Sequence, residues 1–317
     1  MSGGPSGPPA RSGAVPPPAR AGHHSLDGVL LVGHGTASAA GRDELLSLGG
    51  AVAAAADDVA VESGFLELCD PPAGAALDRL VARGAVRVAV VPLMLNAAGH
   101  AKSDVPAVVL EGRGRHPGVT FSYGRALGID HTTVTLARQR IVDAGGQGLP
   151  LLVVARGTSE PEANADGARV SRLLAETCGA PFVITGYSGL TWPLVPDALE
   201  QCRRLGAAQV VLFAWYLSTG VLVDRMRREA GQWAETTGIP VTWAGHLGPD
   251  PALVPLVMAR AAEAFAGQVH MSCDVCSYRA PFPGLEARVG QAVGVGHSHL
   301  ALDHRSHGHA GTVHDHL

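Results

Sequence analysis

A repeat with a constant offset restricts the fold of this chain more than any other feature. Residues of the first half recur 122 positions later in the second half, as from Gly35 to Gly157. The other matches are Thr36 with Thr158, Gly64 with Gly186, Leu68 with Leu190, Pro71 with Pro193, Gly84-Ala85 with Gly206-Ala207, Val88 with Val210, and Leu95 with Leu217. Chance would not keep one offset without a gap across this length, so the core is predicted to be a tandem duplication.

The pattern inside each repeat is typical of an α/β protein. Short Val-rich runs such as "VAVVPLML", "LPLLVVARG" and "AQVVLFAWYL" alternate with helix-length segments such as "GRDELLSLGGAVAAAADDV". Runs of this kind favour buried parallel strands joined by crossover helices. We therefore expect two doubly wound parallel-sheet domains, at residues 27–145 and 146–267. A Gly- and Pro-rich disordered leader is predicted for residues 1–26, and a separate tail for residues 268–317.

Composition excludes several classes of partner. The 317 residues are 46% hydrophobic, carry a formal net charge of −4 and contain no basic run, which argues against nucleic-acid binding. No apolar run reaches the roughly 18 to 20 residues needed to span a bilayer, so no membrane partner is expected. The five cysteines, three of them scattered, argue against a disulfide framework. We therefore predict a cytoplasmic enzyme that acts on a small molecule.

Three polar residues that end or follow strand-like runs of the first repeat are missing from the second. His34, Glu67 and His100 are replaced by Arg156, Gly189 and Leu222. Structural residues should recur at the repeat offset, whereas a site that is used once need not. Because the carboxyl ends of parallel strands collect along one edge of a sheet, the three side chains are expected to meet in one cleft.

Two imidazoles and one carboxylate suit a first-row divalent metal ion, and the same groups can accept protons. Structural roles compete with this interpretation. His34 alone fits a turn histidine satisfied by the backbone, and Glu67 fits an ion pair with Arg42 or Arg125. His100 fits a position near a helix start, with Lys102 and Asp104 in a solvated first turn. The loss of all three residues from the second copy favours the metal site, with His34, Glu67 and His100 as ligands and catalytic groups.

The glycine-rich turn "GHGTAS" does not fit the common phosphate-binding motifs. It lacks the third glycine of a dinucleotide loop and the Gly-Lys-Ser/Thr of a P-loop. It also differs from the histidine phosphatase motif, because Gly33 stands where that motif has an arginine. Without this cation a phosphate would not be clamped, and a phosphohistidine is disfavoured.

The C-terminal region carries a different set of metal-binding residues. Cys273 and Cys276 lie in "MSCDVC", which alone fits half a zinc site, a redox pair or half an iron–sulfur site. Seven of the 15 histidines fall in the last 21 residues, from His297 onward. This clustering predicts a flexible metal-binding tail, with a solvated tract of low affinity as the alternative.

These motifs together resemble one family. "LLVGHGTAS", "GFLELCDP" and "PLMLNAAGHAKSDVP" are similar to strand-end motifs of the sirohydrochlorin chelatases, class II tetrapyrrole chelatases, in the long cobaltochelatase form called CbiX. "VVARGTSEPEAN" and "WYLSTGVLVDRM" resemble its degenerate half, and "MSCDVC" with the His-rich end resembles its tail. The loop before His100 departs mildly, since it reads Asn-Ala-Ala-Gly-His where the family usually has Pro-Gly-Gly-His.

The resemblance implies a lyase with chelatase-like domains that inserts Co²⁺ or Fe²⁺ into sirohydrochlorin, for cobalamin or siroheme biosynthesis. The metal is then a substrate bound by His34, His100 and Glu67. The resemblance also implies a [4Fe-4S] cluster at Cys273 and Cys276, completed by a homodimer or by other ligands.

Three basic residues are candidates to hold the substrate carboxylates, namely Lys102, Arg125 and Arg156. A siroheme ferrochelatase is the nearest alternative function. A non-enzymatic metal storage or delivery protein is the alternative from a different class.

Overall fold

The computed structural model describes residues 26–270 and 276–291. The predicted leader up to residue 25, Cys273 and the His-rich residues 292–317 lie outside the described residues. No helix within the described ranges is both long and apolar enough to cross a bilayer.

The first unit is a four-stranded parallel sheet with strand order β2-β1-β3-β4. Its strands are β1 (Leu26–Gly33), β2 (Val59–Phe65), β3 (Ala85–Pro92) and β4 (Thr120–Tyr123). The helices that join them are α1 (Ala39–Ala55), α2 (Ala73–Ala82) and α3 (Val105–Arg115). Residues 29–32 of β1 and 88–91 of β3 are completely buried, as expected for apolar strands covered on both faces.

The second unit repeats this arrangement with strand order β6-β5-β7-β8. Its strands are β5 (Leu151–Ala155), β6 (Val183–Tyr187), β7 (Val210–Ala214) and β8 (Val241–His246), joined by α5 (Pro161–Cys178), α6 (Val195–Arg204) and α7 (Val221–Thr237). Helices α5 and α6 begin 122 residues after α1 and α2. The predicted duplication of a doubly wound parallel α/β fold is confirmed.

The last helix of each unit packs on the sheet of the other unit. Helix α4 (His131–Asp143) follows β4 but lies against β8 and α5, whereas α8 (Leu253–Phe265) follows β8 but lies against β3 and α1. The largest hydrophobic cluster therefore contains residues of both sheets, such as Val29 and Val153. Two smaller clusters fill the opposite face of each sheet. The two units thus share one core.

A buried arginine stabilises the packing of α4 and α8, the two helices that lie on the sheet of the other unit. Arg260 of α8 is 2% exposed and donates to the carboxylates of Asp130, over 3.0 Å, and Glu263, over 2.8 Å. It also donates to the carbonyl of Leu127 over 3.0 Å. Asp130 is the N-cap of α4, so the residue that begins one exchanged helix is bound by the other. Burial works to raise the pKa of Asp130, but hydrogen bonds from Thr132 and Arg260 outweigh it and lower that pKa.

Candidate metal centre

Three neighbouring strands bring the predicted ligands to one edge of the first sheet. His34 directly follows β1, Glu67 lies two residues after β2, and His100 lies in the connection after β3. One possible ligand atom from each residue lies within 4.8 Å of the others. The convergence expected from strand topology is therefore present in the structure.

A close approach of two turns sets His34 beside Glu67. The amide of Glu67 donates to the carbonyl of His34 over 3.1 Å, and the amide of Leu66 donates to that of Gly33 over 3.0 Å. Gly35 has a φ of 101°, and a Cβ built on it would lie 1.8 Å from the Glu67 carbonyl oxygen. Only glycine fits this position, both for its backbone angle and for the space.

The two imidazoles face each other through their Nε2 atoms, which are 2.8 Å apart, with the ring planes nearly perpendicular at 86°. Their Nδ1 atoms face acceptors: the Gly35 carbonyl lies 3.0 Å from His34, and an Asp104 carboxylate oxygen lies 2.6 Å from His100. Both Nδ1 atoms are thus assigned as the protonated donors, which directs both Nε2 lone pairs at each other. Two lone pairs at this distance repel unless a proton or a metal ion lies between them.

Glu67 completes the set. Its Oε1 lies 3.4 Å from His34 Nε2, and its side chain is about one-third exposed. Two imidazole nitrogens and one carboxylate oxygen on one side of a cleft bind a divalent ion while leaving coordination positions open.

His100 lies in a π-helical turn, His100–Asp104, that precedes α3. The hydroxyl of Tyr123 donates to the carbonyl of Ala101 in this turn, and Ala101 itself is buried. The second unit has no such turn in its described residues, because α7 is one α-helix from Val221 onward. π-helical turns are rare and frequently mark functional sites, which fits the position of this one at the candidate metal centre.

Burial is the largest influence on His100 and lowers the pKa of its imidazole. The charge of Arg156 lowers it further, while the hydrogen bond to Asp104 and the charge of Glu67 act in the opposite direction. The net result is a pKa below the ordinary 6.5, so the neutral form that binds metals is favoured.

The sequence interpretation of Asp104 as part of a solvated turn is wrong. The structure places its carboxylate on the Nδ1 of His100, where it can fix the tautomer of this candidate ligand, and its side chain is only 22% exposed. The i, i+4 spacing of His100 and Asp104 was the available signal. Lys102 is also mostly buried and pairs with Glu162, so it is not a solvated residue either.

The two arginines that were candidates to pair with Glu67 bind other carboxylates: Arg42 pairs with Asp43, and Arg125 pairs with Glu263.

The C-terminal segment 276–291 packs close to this centre. Cys276 is buried, and the hydroxyl of Tyr278 donates to Glu160 over 3.0 Å. Glu160, which is 3% exposed, also lies 3.5 Å from Lys102 Nζ in the π-helical turn. The segment that carries the second cysteine of the motif is thus joined to the turn that carries His100.

A duplicated, doubly wound α/β core with a His–His–Glu set in one copy defines a chelatase-like protein. The model of the CbiX family matches residues 28–144 and 150–264. This chain belongs to the CbiX family, as its motifs predicted.

Individual relatives agree with this assignment. Sirohydrochlorin cobaltochelatase of Priestia megaterium is 34% identical over 269 residues, covering 81% of this chain and 86% of the relative. Sirohydrochlorin ferrochelatase of Bacillus subtilis (strain 168) is 29% identical over 203 residues, covering 63% of this chain and 78% of the relative.

Solved structures agree as well. SirB from Bacillus subtilis with Fe³⁺ superposes with a TM-score of 0.68 at 26% identity, covering 76% of this chain and 98% of that one. SirB from Bacillus subtilis subspecies spizizenii in complex with cobalt gives a TM-score of 0.65 at 25% identity, over 75% and 94% of the two chains.

Proposed function

We propose that this protein is a sirohydrochlorin chelatase, a lyase that inserts Co²⁺ or Fe²⁺ into sirohydrochlorin. The observation that carries the proposal is the meeting of His34, Glu67 and His100 within 4.8 Å at the strand ends of one unit only. Relatives named as sirohydrochlorin cobaltochelatase and ferrochelatase support the substrate and the reaction. The divalent ion is a substrate that passes through the site.

In this proposal the incoming ion binds Nε2 of His34, Nε2 of His100 and the carboxylate of Glu67. It takes the place of the proton shared by the two Nε2 atoms, and it keeps open positions for the pyrrole nitrogens. Two imidazole nitrogens and one carboxylate oxygen do not fill the coordination shell of Co²⁺ or Fe²⁺, which permits release of the ion to the macrocycle.

Metal insertion also requires that the macrocycle lose two pyrrole N–H protons. As the ion moves to the ring nitrogens, the Nε2 atoms regain their affinity for protons, and one proton returns to the His34–His100 pair. Glu67 takes up the second, directly or by way of water. The Asp104 carboxylate stabilises the positive charge that this places on His100.

The direct test is anaerobic incubation of the protein with sirohydrochlorin and Co²⁺, Fe²⁺ or Ni²⁺ in turn, followed by the absorption spectrum of the tetrapyrrole. The double variant His34→Ala/His100→Ala is expected to abolish insertion. His116→Ala is the matched control, because His116 is paired with Asp78 instead of lying in the metal set. Insertion that survives in the double variant contradicts the site.

The choice between cobalt and iron sets the pathway, cobalamin or siroheme. Cobalt is preferred, because the relative with 34% identity over most of the chain is a cobaltochelatase, whereas a ferrochelatase of Priestia megaterium is 31% identical over 211 residues. Imidazole and carboxylate ligands discriminate weakly between the two ions, so competition with equal Co²⁺ and Fe²⁺ is the decisive measurement.

Metal storage or delivery remains the alternative from another class, with the His-rich tail as the binding element. Deletion of residues 297–317 separates the two functions. It leaves the rate of insertion at saturating Co²⁺ unchanged if the protein is a chelatase, and removes most of the metal-binding capacity if the protein is a store.

The [4Fe-4S] cluster does not fit a single chain on the described residues. Such a cluster normally has four thiolates. Cys178 and Cys202 are buried in hydrophobic clusters within α5 and α6, so Cys69 is the one further thiol beside Cys273 and Cys276, and a single chain offers three at most. We propose that a cluster at Cys273 and Cys276 requires a homodimer. Visible and EPR spectra of the anaerobic protein, its Cys276→Ser variant and its measured mass in solution test this together. The cytoplasmic location stays a prediction.

A further inference from the structure

The second unit carries an exposed guanidinium where the first unit carries a metal ligand. Arg156 follows β5 at the position that corresponds to His34 after β1. The two turns have the same close approach of the backbone. A Cβ built on Gly157 would lie 2.0 Å from the Gly189 carbonyl oxygen, and a Cβ built on Gly35 would lie 1.8 Å from the Glu67 carbonyl oxygen. Across residues 26–270 and 276–291, no carboxylate forms an ion pair with Arg156.

The turn that begins at Arg156 lies against the loop that carries His100. Glu160, at the end of this turn, lies 3.5 Å from Lys102 Nζ. In the first turn of α5, which follows, Glu162 pairs with Lys102, and the carbonyl of Ala163 accepts from the side-chain amide of Asn96 over 3.1 Å. Arg156 is exposed at the start of this turn, so the opposite unit presents a cation beside the loop that carries His100.

A second arginine, Arg225, is connected to the backbone of Arg156 through Ser188. The hydroxyl of Ser188 donates to the carbonyl of Arg156 over 3.1 Å, and its own carbonyl accepts a hydrogen bond from Arg225. Arg225 lines a cavity of about 280 Å³ beside β6, together with Leu190 and Glu229. Its Nε forms no hydrogen bond with the described residues, and it forms a long ion pair with Glu229 over 3.6 Å.

The two copies therefore differ in charge at the corresponding edge of their sheets. Arg156 stands where the first unit has His34, and Gly189 stands where it has Glu67, so the second edge lost a carboxylate and gained a cation. The other candidate cations are already paired with carboxylates: Lys102 with Glu162 and Arg125 with Glu263. An edge of this kind attracts anions.

We propose that Arg156 and Arg225 bind carboxylate side chains of the tetrapyrrole and thereby orient the macrocycle against the metal centre of the first unit. The proposal rests on the proposed chelatase function and adds the substrate-binding residues to it. Guanidinium forks suit this task, since they bind carboxylates in a bidentate manner.

The test compares Arg156→Gln and Arg156→Lys with the wild type by titration of metal-free sirohydrochlorin and by steady-state kinetics. The Gln variant is expected to raise Kd and KM about tenfold or more, as loss of a charge-assisted hydrogen bond implies, with partial recovery in the Lys variant. Co²⁺ affinity without tetrapyrrole and kcat should change less than about twofold. Arg172→Gln on α5 is the matched control, because Arg172 is exposed and pairs only with Glu176.

A second arm uses Arg225→Gln and two porphyrins as binding probes. Uroporphyrin carries acetate and propionate side chains, whereas coproporphyrin carries propionates only. A loss of affinity for both probes supports recognition of propionates, and a loss for uroporphyrin alone supports recognition of acetates. Unchanged affinity for both probes overturns carboxylate recognition.

The two proposals fail in different ways. A wild-type protein that binds the tetrapyrrole but inserts no metal contradicts the chelatase function, while the Arg156 effect on binding is still measured. A wild-type protein that inserts metal, with Arg156→Gln binding sirohydrochlorin as tightly as Arg172→Gln, overturns the role of Arg156 alone.

Discussion

Asp104 accepts a hydrogen bond from the Nδ1 of His100 over 2.6 Å within one π-helical turn. Replacement of Asp104 by Ala should lower Co²⁺ affinity about 10-fold to 100-fold, the usual effect of removing an acceptor behind a ligating histidine. Competition with a chromophoric chelator measures this. Asp143→Ala, an exposed change at the end of α4, should bind Co²⁺ like the wild type. Equal affinity of the two variants would contradict the role given to Asp104.

Gly35→Ala should disrupt the metal centre through the backbone. The new Cβ would meet the Glu67 carbonyl, and the positive φ adds strain, so a destabilisation of at least about 2 kcal/mol is expected in urea unfolding. Co²⁺ affinity should fall as well, because the clash separates His34 from Glu67.

Two matched variants separate the causes of this effect. Gly157→Ala creates the same clash in the second unit and should cost similar stability while leaving Co²⁺ affinity intact. Gly84→Ala has a positive φ but open space around its Cβ, so about 1 kcal/mol of strain is expected alone. If Gly35→Ala destabilises no more than Gly84→Ala, the clash is not significant.

Low pH should weaken the contact between Asp130, the N-cap of α4, and Arg260 of α8, and thereby lower the free energy of unfolding. Its folded-state pKa lies below the ordinary 3.8, so its stabilising contribution is complete above the unfolded-state pKa and is lost as pH falls through the folded-state pKa. Asp130→Asn should lower the free energy of unfolding by about 1 kcal/mol at neutral pH, since a hydrogen bond to a charge is weakened.

The difference between this variant and the wild type should shrink as pH falls below about 4, where the wild-type carboxyl also becomes neutral. Urea unfolding at several pH values measures it. A difference that stays constant down to acid pH would show that the charge of Asp130 contributes nothing. Asp143→Asn, on the exposed end of the same helix, supplies the control.

Glu160 is expected to hold the C-terminal segment in place. Its carboxylate accepts from Tyr278 and Ser277 and lies 3.7 Å from Arg288, so Glu160→Ala removes three attachments of residues 276–291. Hydrogen exchange in that segment should accelerate at least about tenfold, because opening no longer breaks these bonds. Glu176→Ala, exposed on the same helix, should leave exchange unchanged, and protection equal in both variants would count against this attachment.

The repeat offset predicted most of the fold, because the two copies share the same local sequence pattern and therefore form the same strands and helices. It could not reveal that α4 and α8 exchange sheets, since an amphipathic helix buries its apolar stripe equally well on either of two similar sheets. That choice depends on tertiary contacts such as those of Arg260, which is distant in sequence from Asp130.

His34, Glu67 and His100 were predictable for a different reason, namely that the second copy shows what the turn looks like without a ligand. Asp104 and Tyr123 were not, because the π-helical turn that gives them their roles has no signature in the sequence. Local spacing placed Asp104 on the same helical face as His100, and only the structure distinguished a ligand partner from a solvated acid.

The exchanged helices also govern the order in which the chain can be completed during synthesis. The first sheet receives its last covering helix only when residues up to Phe265 have been made, although its own strands end at Tyr123. Until then one apolar face of β3 stays open on the growing chain. The first half therefore cannot bury this face before the second half has been made, which leaves the nascent first half prone to aggregation.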